Sequence, residues 1–376
     1  MRILLVGMAD SIHLSRWVAQ FDGSPFVFEI VSSSPHKRIV KGLAERIDGY
    51  SEVSISWFSR YMSSPMWWAD RFLSDWIRGT FIAWRILRFK PDIVHVHELQ
   101  NAGYPTRRAY QLLKRLRPKL LLTNYGSDIY WFSRVPKHLK RIKSLLDMAD
   151  GYSAECSRDY KLAGSISSGF QVMPLMPTAG GLQISALNPR KRSKIAVKGY
   201  ENFWGKALVV LEALKGISDE LLNYEIVFFG SDKALIDQAK IVSQTTNLKV
   251  TAIGSGGLGH DRVLELLSES EIYIGHSLSD GISTSMLEAM AMGAIPIQTC
   301  TSCADEWITD KKTGFIIAPN DVIAIRNAVL NIVEGSFDSR SARLANFKVI
   351  ETRYDAKKLK SIAFSYYEKL SYRIGK

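Results

Sequence analysis

Hydrophobic positions along the chain fall into short β-rich runs separated by stretches with helical spacing. In the first half the runs are RILLVG, FVFEIVSSS, VSISWF, PDIVHVHE, KLLLTNYGSD and GYSAECS. A helix is expected from about Ser11, a long helical stretch before PDIVHVHE, and another helix after it. Nearly continuous apolar strands alternating with helices predict parallel strands joined by crossover helices, the α/β class. Around residues 175–194 the pattern dissolves into Gly, Pro, Ser and charge, which predicts a linker. The rhythm restarts with SKIAVKGY, KALVVLEAL, YEIVFFGS, LKVTAIG, HDRVLELLSES, EIYIGHS, TSMLEAMAMG and AIPIQT. From about Asp355 to Leu370, Leu359, Ile362, Ala363, Tyr366 and Tyr367 recur at helical spacing, and this helix is expected to pack back across the domains.

Length turns this doubling into a domain count. A chain of 376 residues, 46% hydrophobic, is too long for one ordinary core and suits two. Two open α/β sheets facing a cleft are expected, with ligands outside the carboxyl ends of the strands. The opening MRILLVGMADS reads as a buried strand and lacks the features of a signal peptide. No run of about eighteen uncharged apolar residues suggests a membrane span. Three cysteines, two of them in a single CxxC at Cys300 and Cys303, complete no zinc site and fit a reducing cytoplasm. Of the net charge of +12, residues 1–185 carry 25 Lys+Arg against 15 Asp+Glu, and the remainder 24 against 22. The basic first half points to an anionic partner: nucleic acid, a membrane surface or a phosphorylated acceptor.

The strongest local signal is HSLSDGISTSMLEAMAMGAIPI, which reads as loop, helix and strand. Asp280 and Gly281 form a turn, Ser283 is an N-cap candidate, and Gly293 stands where a C-terminal cap belongs. The loop thus offers backbone N–H groups at a helix N-terminus, an anion site suited to a diphosphate. Thr284 and Glu288 are four apart and share a helical face, where the carboxylate suits ribose hydroxyls. GMADSIHLSRW, with Gly7, His13 and Arg16, is not GxGxxG, so a nicotinamide fingerprint is absent. His95 and His97 share a strand face; a metal pair there lacks a third ligand.

This chain resembles the family 4 glycosyltransferases, retaining enzymes of the GT-B fold, whose motif has two glutamates separated by seven residues ahead of LEAMA-like sequence. Here the first acid is Asp280 and the second Glu288. The resemblance implies an α/β GT-B architecture of two Rossmann-like domains. Residues 1–182, with the C-terminal helix 355–376 crossing back to them, would bind the acceptor, and 192–354 the nucleotide sugar. It further implies that Asp280 reads the donor sugar and Glu288 the ribose. Lys198 and Lys206 would neutralise the diphosphate, although the family's arginine has no counterpart. Ser277, Ile282, Ser283 and Thr284 fall in the same donor segment, and His260 and Arg262 are assigned to the base. Gly7 would approach the phosphates. Tyr125 stands where the family usually has a histidine before Gly-x-Asp, and Tyr125 and Asp128 are expected at the reacting sugar. His13, Arg16, His97, Glu155 and Arg158 are the acceptor candidates; for His13 and His97 a surface or packing role is the other reading.

The implied activity is transfer of a hexose from a UDP- or GDP-sugar to a hydroxyl of a glycan or polyprenyl-diphosphate-linked acceptor in surface polysaccharide synthesis. No cofactor, metal or nucleic acid is expected. Residues 57–90 interleave Trp57, Trp67, Trp68, Trp76 and Trp84 with arginines, of which Arg71, Arg78 and Arg85 recur every seven residues and would share one helix face. That composition suits a cytoplasmic protein held at the inner face of an anionic membrane; tryptophans in the core beneath a solvated arginine face is the other reading. Two alternatives to the transferase are a sugar-nucleotide epimerase and a basic membrane or nucleic-acid adaptor with a vestigial nucleotide site.

Overall fold

The computed structural model describes residues 1–36, 38–184 and 192–371. The expected linker at 175–194 therefore lies partly outside the described residues, as does the end of the expected 355–376 segment. The chain forms two compact units. One comprises Met1–Gly181 together with the chain from Lys357 onward, the other Leu182–Ala356.

The first unit holds a seven-stranded sheet of β1 (Arg2–Gly7), β2 (Val27–Ser32), β3 (Val53–Ile55), β4 (Ile93–His97), β5 (Lys119–Thr123), β6 (Gly151–Ser153) and β7 (Gln171–Val172). Their order is β3-β2-β1-β4-β5-β6-β7, every pair parallel. The period-2 geometry of a strand splits β4 into two faces. Val94 and Val96 enter a core with Leu4, Val6, Leu120 and Leu122. Ile93, His95 and His97 face the other way. There Trp17 and the helix Ala356–Ser371 cover the sheet, with Leu359, Ala363, Tyr366 and Tyr367 buried and Tyr366 donating its hydroxyl to the Pro174 carbonyl at 2.6 Å.

The second unit holds β8 (Lys194–Lys198), β9 (Glu225–Ser231), β10 (Lys249–Gly254), β11 (Ser270–Gly275), β12 (Ile295–Thr299) and β13 (Phe315–Ile317) in the parallel order β10-β9-β8-β11-β12-β13. Its core contains Ile195, Val197, Phe228, Ile272, Ile274, Ile295 and Ile297. In each sheet the strand order reverses beside the first strand of the unit, between β1 and β4 and between β8 and β11. Doubly wound sheets bind ligands at the carboxyl ends on either side of such a switch point.

Three local expectations change. The run VSISWF is a strand only through Ile55, because the Ser56 hydroxyl accepts the Ser59 N–H at 3.1 Å and starts the helix Trp57–Leu73. The long helical stretch is two helices, Trp57–Leu73 and Trp76–Phe89, broken at Ser74 and Asp75, which have φ of 48° and 66°. Asp70 accepts the Ile77 and Arg78 N–H groups at 2.8 and 2.9 Å, satisfying donors that a helix start otherwise leaves bare. The break destroys the common face of Arg71, Arg78 and Arg85. Arg78 is buried between Asp70 at 3.0 Å and Asp75 at 2.8 Å, and Arg85 pairs with Glu29 on β2. The side chain of Trp57 lies outside the described residues.

Candidate active site

In the second unit the switch point gathers the segment singled out by its spacing. β8 ends at Lys198, and the neighbouring β11 ends at Gly275, followed by His276 and the loop to Ser283. Residues 200–206 are clipped to that loop: Leu278 N–H donates to the Trp204 carbonyl at 2.8 Å and Lys206 N–H to the His276 carbonyl at 3.3 Å, with a bridge between Gly205 and Ser277. Ser277 N–H is held by the Thr299 hydroxyl at 3.1 Å, and Asp280 accepts the Gly281 N–H at 2.9 Å. Ser283, buried beside Ile282, is the N-cap of the helix Thr284–Met292, its oxygen accepting the Met286 N–H. Gly293 closes that helix with φ of 84°, a left-handed cap that a side chain would strain. Between those caps the first helical N–H groups have no intrahelical partner and form an electropositive end.

The side chains around that end carry opposite charges. Glu288, one turn into the helix, is 4% exposed, and its Oε1 lies 2.8 Å from Nε2 of His260 on the helix His260–Glu269. The Thr284 Oγ1 is buried and has no hydrogen-bond partner among the described residues. Burial pulls the Lys198 pKa down, but Asp280, Tyr273, Tyr200 and Glu288 outweigh it and hold the ammonium above the ordinary lysine value. Lys198 is thus a cation kept charged by a ring of acids and phenols. Lys206 precedes the helix Ala207–Lys215 and donates its Nζ to the Asn202 carbonyl at 2.6 Å, with Glu201 3.9 Å away. Arg262 does not join this group. It pairs with Glu265 and its side chain is 72% exposed.

Sequence reasoning missed two members of the cluster. Tyr273 is fully buried on β11, its hydroxyl 3.3 Å from the Ser283 Oγ and among the charges felt by Lys198. His276 accepts the Asn320 N–H at Nε2, at 2.9 Å, and burial lowers its pKa to about 4, so the ring is neutral. Tyrosine in an otherwise aliphatic strand was the available signal for the first; nothing local marked the second.

The first unit's carboxyl edge is built differently. Gly7 ends β1 so close to β4 that a Cβ there would lie 3.1 Å from the His97 Cβ. His97 shares a 2.7 Å hydrogen bond between Nδ1 and the Tyr125 hydroxyl, while its Nε2 is buried without a partner among the described residues. Burial, and then His13, lower its pKa to about 3. His13 follows the N-cap Ser11, its ring 5.2 Å from that of Tyr125, and Arg16 lies one turn further along the same helix, partly buried. His95 makes no metal pair with His97, since the Tyr367 hydroxyl occupies its Nδ1 at 2.9 Å and the Thr123 hydroxyl its Nε2 at 2.7 Å.

Three other candidates at this edge are engaged by partners within the unit. Asp128, expected at the reacting sugar, is 3% exposed and accepts the Tyr125 and Leu99 N–H groups at 2.9 and 3.2 Å. Burial, with Glu98 and Asp159 adding to it, raises its pKa against the pull of those donors. Glu155 is 2% exposed and accepts both the N–H and the hydroxyl of Thr178, at 2.9 and 2.6 Å, which turns it into the fold. Arg158 pairs with Asp159 at 2.8 Å and lies over the Tyr130 ring at 3.9 Å. Unforeseen is Glu98, with φ of 84° and a carboxylate that accepts the N–H groups of Gln100, Asn101 and Ala102; burial raises its pKa to about 7.

Two family models match the sequence: glycosyl transferases group 1 over residues 190–347, and glycosyl transferase 4-like over residues 2–150. No curated protein matches the chain. Among solved structures it is similar to HepE of Anabaena in complex with UDP, with a TM-score of 0.70 at 12% identity over 99% of this chain and 100% of that one. Sucrose-phosphate synthase from Thermosynechococcus elongatus gives 0.71 at 14% over the same shares, and a glycosyltransferase from Rickettsia africae 0.69 at 15% over 98% of both. At such identities the likeness is one of fold, and that fold is GT-B.

Proposed function

Because the chain belongs to the group 1, family 4 glycosyltransferases, we propose that it moves a hexose, with retention, from a UDP- or GDP-sugar to a hydroxyl of a glycan or polyprenyl-diphosphate-linked acceptor. The role is in surface polysaccharide synthesis at the inner face of a membrane. HepE has been solved with UDP and with UDP-glucose, which makes uridine donors the first to try.

The observation that carries this reading is the buried Glu288 carboxylate, one turn into a helix with an electropositive start and on the same face as a Thr284 hydroxyl that has no partner among the described residues. That set fits a ribose next to a diphosphate. Helix N–H groups, Lys198 and Lys206 take the diphosphate, and their hold strengthens as the leaving group gains charge. Glu288, oriented by His260, takes the ribose hydroxyls, and Asp280 a hydroxyl of the sugar. In the transfer the bond from the anomeric carbon to the diphosphate oxygen breaks and a bond to the acceptor oxygen forms on the same face. The acceptor proton passes to the departing phosphate, so the protein supplies no dedicated base and no metal. Tyr125 and His97 stand at the acceptor unit's edge, with Gly7, His13 and Arg16. The test is transfer from UDP- and GDP-sugars with product stereochemistry read by NMR; an inverted product, or interconversion of the donor without acceptor, overturns the proposal.

A further inference from the structure

The helix break at Ser74–Asp75 produces a feature that the proposed chemistry does not use. The last turn of Trp57–Leu73 and the first turn of Trp76–Phe89 form an apex whose large side chains face water. Phe72 is 87% exposed, Trp68 54%, and Leu73 and Trp76 48% each. Tyr61, Pro65, Trp68 and Phe72 follow one another at spacings of four, three and four, so they line one stripe of the first helix. Single exposed apolar residues are ordinary; a contiguous aromatic stripe ending in an apex is not.

The apex is firmly placed. Trp67 donates to the Asn101 side chain at 3.2 Å, Arg78 to the Asn101 carbonyl at 3.1 Å, and Arg141 reaches Asp75. Asn101 lies just past the carboxyl end of β4, so the aromatic apex stands beside the edge that carries His97 and Tyr125.

Charge selects the occupant. Between Glu52 and Asp92 the only acids are Asp70 and Asp75, and both are buried against Arg78. The exposed charge of the two helices is therefore all positive: Arg60, Arg71, Arg88 and Lys90. Arg71 lies over the Trp68 ring at 5.1 Å, and Arg108 of the neighbouring helix over the Trp76 ring at 4.5 Å. Guanidinium groups stacked on exposed indoles put cations at phosphate depth beside rings at acyl depth, the arrangement of an interfacial anchor. We propose that the apex Trp68–Trp76 seats this unit on an anionic phospholipid bilayer and so presents its carboxyl edge to the membrane. This rests on the lipid-linked-acceptor reading for its purpose, but not for its test.

The full chain is centrifuged with vesicles of phosphatidylcholine plus phosphatidylglycerol and with vesicles of phosphatidylcholine alone. The expected result is binding to the anionic vesicles, lost by about tenfold in Phe72→Ser/Trp76→Ser and reduced by salt or by Arg60→Gln/Arg71→Gln. Both pairs are exposed, so thermal melting and nucleotide binding stay unchanged. Absence of binding, equal binding by the aromatic variant, or indifference to lipid charge overturns the proposal. So does a dimer in sedimentation analysis that the aromatic substitutions dissociate, since the face then belongs to a second copy. Vesicle binding without nucleotide binding would leave this inference standing and sink the transferase reading.

Discussion

The two units share a doubly wound parallel sheet, yet the polar groups at its carboxyl edge are arranged differently. In the first unit Asp128 and Glu155 each accept two hydrogen bonds, from Tyr125 and Leu99 and from Thr178, His95 has both nitrogens taken, and Arg158 packs on Tyr130. In the second unit the Thr284 hydroxyl has no partner among the described residues, and Asp280, Tyr273, Tyr200 and Glu288 hold Lys198 charged against its burial. Each edge keeps a buried atom unsatisfied among the described residues, His97 Nε2 in the first and Thr284 Oγ1 in the second, but the second sets its own beside a helix N-terminus and a charged lysine, a combination suited to an anionic ligand. On the proposed reading the donor chemistry belongs to the second unit and the Tyr125–His97 pair of the first lies on the acceptor side.

The sharpest way to break this contrast is Glu288→Ala. If this carboxylate takes the ribose as proposed, its removal should lower kcat/KM about a thousandfold, with the melting temperature within a few degrees, because His260 can turn to water. Lys198→Met should cost about a hundredfold and weaken calorimetric binding of the nucleoside diphosphate more than that of the nucleoside. Glu155→Ala should act the other way, destabilising the fold by about 1–3 kcal/mol through the stranded Thr178 donors while leaving the KM for the donor unchanged. If its main effect were on donor KM, the edge of the first unit would be a binding site after all.

Acid sensitivity sharpens the comparison inside the first unit. His97 has its folded pKa lowered to about 3 from 6.5, so its stabilisation is whole above pH 6.5 and is lost as the pH falls below that. Glu98 has its pKa raised to about 7 from 4.5, so the fold gains stability as the pH falls from 7 toward 4.5. The two oppose each other between about 4.5 and 6.5. Glu98→Gln should therefore make the melting temperature begin to fall near pH 6.5 instead of below 4.5. Smallest of all, Arg262→Ala should change donor binding less than about twofold, since that guanidinium pairs with Glu265 in solvent.

What could be read from the chain follows from how local each determinant is. Ser283 and Gly293 bracket nine residues whose caps depend only on neighbours, so the helix they bound was legible. The alternation of β4 put His95 and His97 on one face, as observed. Partners far away in sequence were not legible: Glu288 meets His260 28 residues earlier, Glu155 meets Thr178 23 residues later, and His276 meets Asn320 44 residues later. The seven-residue arginine spacing misled because it assumed an unbroken helix. No glycine or proline marks Ser74–Asp75; the break is fixed by Asp70 folding back onto the next helix. β7, at two residues, is too short to show a period.

The most direct measurement is a calorimetric cycle with UDP or GDP, whichever binds, and its 2′,3′-dideoxy analogue on the wild-type chain and on Glu288→Ala. The account predicts that removing the ribose hydroxyls weakens wild-type binding by about tenfold or more and leaves the variant nearly indifferent. Equal discrimination by both proteins would contradict it, because the ribose would then be read somewhere other than Glu288.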